Sequence, residues 1–96
     1  MSYKVQVLPE ATEETIEVFT YYEEGRSGLG LRFLEALNDC YQSLAHNPSG
    51  QKRKGDFRHA MLLKFPYRVV YEVRGQHVII YQVRHTSRVP SKKFGP

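Results

Sequence analysis

Arg68, Arg84 and His85, flanked by His59 and Arg88, bring guanidinium and imidazole groups to one end of what reads as a small sheet. Guanidinium groups stabilise the extra negative charge that a phosphodiester acquires in its transition state. An imidazole titrating near neutrality transfers a proton to or from the reacting oxygens. Together they would suit metal-free cleavage of RNA through its own 2′-hydroxyl. The same residues equally suit the binding of an acidic partner without any chemistry, and residue type alone leaves both readings open. No metal or cofactor is expected. His46, His59, His77 and His85 lack the spacing of a ligand set, and Cys40 is the sole cysteine. Gly28 and Gly30 precede a helix, but no GxGxxG follows a strand there to complete a nucleotide loop.

These residues need strands to position them. Tyr67, Val69, Tyr71 and Val73 alternate with Arg68, Val70, Glu72 and Arg74, the period of a strand with one buried face. Gly75-Gln76 is a two-residue turn of the type that takes Gly first, and residues 77–84 return antiparallel. That register sets Arg74 opposite His77, Tyr71 opposite Ile80 and Arg68 opposite Val83, with His85 diagonally beside Arg68. The expected core face carries Tyr67, Val69, Tyr71, Val73, Val78 and Ile80. The expected working face carries Arg68, Glu72, Arg74, His77, Tyr81 and His85. A preceding strand over 57–64, turning tightly at Phe65-Pro66, would pair Lys64 with Tyr67 and Met61 with Val70, adding His59 and Met61 to the working face.

Upstream, residues 3–8 alternate as a first strand, and Pro9 can open a helix. Residues 10–24 form that helix, with acids early and a stripe of Ala11, Thr15, Val18, Phe19 and Tyr22, and Gly25 as its stop. Ser27 reads as the N-cap of a second helix over 28–46, whose stripe is Gly30, Phe33, Leu34, Leu37, Cys40, Tyr41 and Leu44. Cys40 on that stripe reads as a packing residue. Asn47-Pro48-Ser49-Gly50 ends it. The two helices should lie antiparallel across one sheet face. Residues 51–55 read as a basic loop whose Lys52, Arg53 and Lys54 offer phosphate or carboxylate contacts at the sheet edge.

Ninety-six residues make a single domain, 1–96, with 86–96 an extended basic tail. No apolar run has the length of a membrane span, and one cysteine fits a reducing cytoplasm. Charge is divided unevenly. Residues 1–50 carry three cations against eight acids, a balance of −5; residues 51–96 carry eleven against two, a balance of +9. The basic half points to a polyanionic partner, nucleic acid or an acidic protein segment.

The order strand–helix–helix–three strands, with YKVQVLPEA at the start, LRFLEALNDCYQSLAHNP in the second helix, FPYRVVYEV at 65–73 and YQVRHTSRVP at 81–90, resembles the RelE/ParE superfamily of type II toxin–antitoxin toxins. The resemblance implies an α+β fold of order β-α-α-β-β-β, with a helix hairpin on one face of a small, mainly antiparallel sheet. It also implies a cytoplasmic growth inhibitor held in check by an antitoxin with an acidic amphipathic segment. RelE-like members cleave messenger RNA on the ribosome; ParE-like members poison DNA gyrase and are not nucleases. On a RelE-like reading, Arg68 and His85 would be catalytic. FPYRVVY and RHTSRVP resemble the ParE and plasmid-stabilisation members more closely. On that reading Lys52, Arg53, Lys54, His59, Arg74, Arg84 and Arg88 are target- or antitoxin-binding residues.

Overall fold

In the computed structural model the described residues are 2–50 and 52–86, with only the backbone described at 52–54. The elements are β1 (Lys4–Val7), α1 (Pro9–Gly25), α2 (Leu29–His46), β2 (Lys52–Lys54), β3 (Phe57–Met61), β4 (Tyr67–Arg74) and β5 (His77–His85). The expected order holds, with β2 a short extra strand inside the stretch read as a loop. The sheet has the strand order β1-β5-β4-β3-β2. β1 runs parallel to β5, and every other neighbour is antiparallel.

One sheet face is apolar, and the helices cover it. Tyr67, Val69 and Tyr71 of β4 and Val78, Ile80 and Val83 of β5 are buried against Ala11 of α1 and Phe33, Leu37 and Leu44 of α2. Phe33 sits 5.4 Å from Tyr67 and 5.6 Å from Phe65, ring centre to ring centre, in edge-on packing that suits aromatic quadrupoles. Tyr22 closes the cluster from α1, 5.2 Å from Phe65. These rings fix the β3–β4 connection beside the first turns of α2.

The joint between the helices differs from the sequence expectation. Ser27 is not the cap: α2 begins after Gly28, whose φ of 87° is open to glycine at little cost. Glu23 on α1 does the capping instead, accepting from the Gly28 and Gly30 amides at 2.9 Å each. Its negative charge also sits favourably at the positive end of the α2 dipole. Gly30 permits this approach, since a Cβ there would lie 2.8 Å from the Phe19 ring and carbonyl. Gly25 belongs to α1, which ends at Arg26 through a bond to the Tyr22 carbonyl.

Two register expectations are also corrected. β3 ends at Met61, which pairs with Arg68 rather than Val70, because the connection is a longer turn passing through Lys64 at φ 68°. On the other side, Gly75 turns as expected and Arg74 pairs with His77, but the register slips between Val70 and Tyr71. Tyr71 faces Ile80 while Val70 faces Gln82, so Tyr81 is an additional bulged residue. Beyond it Arg68 pairs with Arg84, and Tyr67 with His85.

Candidate functional surfaces

The bulge decides what the outer sheet face, turned away from the helices, can hold. Arg68 stands between Met61 of β3 and Arg84 of β5. Val70, Glu72 and Arg74 follow along the same face of β4, with Gln82, Ile79 and His77 opposite them. His59 joins this face opposite Val70, as expected. His85 does not. It lies opposite core-facing Tyr67, its ring 5.1 Å from the Tyr67 ring and nearly perpendicular to it. The expectation that Arg68 and His85 share one working face is therefore overturned by a single inserted residue, since an extra residue exchanges the two faces of a strand.

Arg74 has a local duty. Its Nε donates to Glu72 Oε1 at 2.8 Å, and the Tyr81 hydroxyl donates to the same oxygen at 2.9 Å. Glu72 is buried, and the Arg74 hydrogen bond, followed by that from Tyr81, holds its carboxyl below the usual range despite the opposing cost of burial. The Tyr81 ring stacks edge-on to Phe57 at 5.0 Å, tying β5 to β3 over the outer face. Lys52, Arg53 and Lys54 supply the backbone of edge strand β2; their side chains, and all of Arg88, lie outside the described residues. Among the described residues, no group of three His, Cys, Asp or Glu side chains could hold a metal ion. No described helix is long and apolar enough to cross a membrane.

A second surface was not anticipated. Between α2 and β3 lies a groove of about 850 Å³, with Leu29, Ala36, Cys40, Leu44, Ala60 and Phe65 among its apolar lining. Met61 and Leu63 border it and are 59% and 80% exposed. Among the described residues the β2–β3 pairing reaches Arg58, and the Leu62 amide turns inward to Tyr67, which puts the backbone of Met61 on the outer edge of the sheet. Strand edges beside exposed apolar side chains are a common kind of surface for another chain to pair with. The sequence carried a signal for it in MLLKF, residues 61–65. That run has four apolar residues in five, more than a strand with one buried face can hide. Burial in the groove wall pushes the Cys40 thiol up to about 11, so this cysteine is a packing residue at neutral pH.

Glu14 was also missed as a structural residue. β1 pairs with β5 only as far as Ile80. Beyond that point the Val83 amide donates to Glu14 Oε1 at 2.9 Å, so a helix side chain replaces the missing strand. Burial raises the Glu14 carboxyl above its usual value, against the pull of that hydrogen bond.

A helix hairpin capping one face of a five-stranded mixed sheet, with a basic outer face and an apolar side groove, is the arrangement of the RelE/ParE-like α+β fold. The sequence profile of the ParE toxin of the type II toxin–antitoxin system, parDE, matches residues 5–90, and the chain belongs to that family. Its fold is similar to a chain of the chromosomal ParDE toxin–antitoxin system from P. aeruginosa, at a TM-score of 0.80 and 12% identity. That likeness covers 90% of this chain and 98% of the other. No curated protein matches the sequence.

Proposed function

We propose that this ParE-family toxin acts in the cytoplasm by binding its target, DNA gyrase, and that a cognate antitoxin neutralises it by occupying the α2–β3 groove. The observation that supports binding over cleavage is the placement of Arg68 and His85 on opposite faces of the sheet. A general acid or base must come within hydrogen-bond reach of the atoms whose charge the arginine stabilises. Here the sheet itself separates the two. The outer face, with Arg68, Arg84 and His59, serves as the basic contact surface for the target. The groove suits the antitoxin because its floor is apolar, it lies at the outer edge of the sheet, and it meets the basic face only beside Met61, the partner of Arg68.

A supercoiling assay with purified gyrase tests the proposal. Inhibition and trapped DNA breaks are expected, both relieved by prior addition of the antitoxin. Arg68→Ala and Arg84→Ala should weaken the inhibition, whereas His85→Asn, which keeps a planar polar group beside Tyr67, should leave it intact. Ribosome-dependent cuts in messenger RNA that vanish in both Arg68→Ala and His85→Asn would instead establish a RelE-like nuclease.

A further inference from the structure

The groove has a charge polarity along its length. Arg32 of α2 and Lys64 of the β3–β4 turn border it at the end where Phe65 packs on Phe33. Farther along α2, Glu35 and Asp39 border the same groove. Arg32 and Asp39 are seven residues apart, which separates them by about 10 Å along the axis. Glu35 and Asp39 are exposed, and no salt bridge or side-chain hydrogen bond engages either among the described residues. Four residues apart on one helix they repel each other, and Glu35 also stands three residues from Arg32, so Asp39 marks the acidic end of the groove. The half of the chain that surrounds them is acidic, although the protein as a whole is basic. The apolar floor between these rims supplies affinity to any occupant, and the rims decide which occupant and in which direction.

Resting on the groove as the seat of the antitoxin, we propose that the antitoxin segment bound there carries a lysine or arginine against Glu35 and Asp39 and an acidic residue against Arg32 and Lys64. The segment is thus apolar toward Ala36, Cys40 and Ala60 and charged at two points of opposite sign. This differs from a uniformly acidic segment, which Glu35 and Asp39 would repel. The polarity also fixes the direction in which the antitoxin chain enters, and it discriminates against antitoxins with the reverse order of charges.

The test measures binding of the purified cognate antitoxin by biolayer interferometry. For the double variant Glu35→Lys/Asp39→Lys, affinity should fall at least about tenfold at about 0.1 M salt, with the loss shrinking at about 0.5 M. Unchanged or tighter binding would overturn the proposed polarity. Leu63→Asp and Ala36→Trp show whether the groove is the seat at all; Leu63 is 80% exposed, so its substitution leaves the core alone. Both should weaken binding. If neither does, the groove reading itself fails. If they do and the charge reversal does not, only the polarity fails. Thermal unfolding of each variant, followed by circular dichroism, establishes that it is folded.

Discussion

Arg68 and Arg84 face each other across the β4–β5 ladder, while His85, one residue further on, faces Tyr67 on the helix side. The bulge at Tyr81 produces both relationships. Without it, alternation from the Gly75 turn would set Arg68 against Val83 and turn His85 outward. One inserted residue therefore assembles a basic patch and removes the histidine from it.

Deleting Tyr81 tests this reading of the ladder. Ile80 already pairs with Tyr71 and Gln82 with Val70, so removal of the intervening residue leaves both sets in phase. The variant should fold cooperatively, with Val83 still buried. It should lose about 2 kcal/mol, the combined value of a ring pair and a hydrogen bond to a carboxylate. Urea unfolding with an unchanged slope would confirm it; loss of folding would show that the bulge sets the register rather than sitting within it.

The helix joint makes a second prediction. Gly30→Ala forces a methyl group to within 2.8 Å of the Phe19 carbonyl, a backbone atom that cannot swing aside. A cost of about 1–3 kcal/mol follows from overpacking. Glu23→Ala leaves the Gly28 and Gly30 amides without their acceptor and should cost about 1–2 kcal/mol. Because the two changes strike one contact, the double variant should lose less than the sum of the singles.

How much of this was legible beforehand depends on range. The apolar alternation in β4, that in β5 as far as Ile80, and the stripe of α2 gave the layers and the core face correctly, because period alone dictates which side is buried; past the bulge Val83 and His85 lie on the side opposite to that expected. The Tyr81 bulge was not legible, since its cause lies in tertiary contacts to Phe57 and Glu72 that no local pattern records. The same holds for Glu23, an acid on one helix that caps another. Ser27 looked like the better cap because its residue type is the usual local solution. The groove fell between elements read separately, although the apolar surplus in MLLKF announced it.

The two buried-side carboxylates should respond to pH with opposite signs. Glu72 is held below the ordinary value of 4.5 chiefly by its bond from Arg74. Its contribution is therefore present above the ordinary value and lost as pH falls through the lower folded value. Glu72→Gln should flatten the acid limb of a stability–pH curve. Glu14 is raised by burial, so its contribution is present at low pH and lost as pH rises through the higher folded value. Glu14→Gln keeps an acceptor for the Val83 amide without the charge, and should match the parent at low pH and exceed it at neutral pH.

Behind the core, the Tyr71 hydroxyl donates to the Pro48 carbonyl at 3.0 Å and anchors the connection between α2 and β2. Arg58 reinforces it with a bond to the Gly50 carbonyl at 2.9 Å. Tyr71→Phe should cost about 1 kcal/mol, the net value of one hydrogen bond, since the buried Pro48 carbonyl keeps its bond from the Gly50 amide at 3.0 Å. Amide exchange should accelerate around residues 47–50, where the anchor acts, and remain slow in β4. Uniform acceleration throughout would contradict a local role for this bond.

The most direct measurement is brief induction of the protein in a bacterial host, with DNA breakage and the SOS response followed alongside primer extension on translated messages. A toxin that binds gyrase, with Arg68 and His85 on opposite faces of its sheet, should produce early DNA breaks while messages stay intact. Cuts within codons without early DNA damage would contradict it.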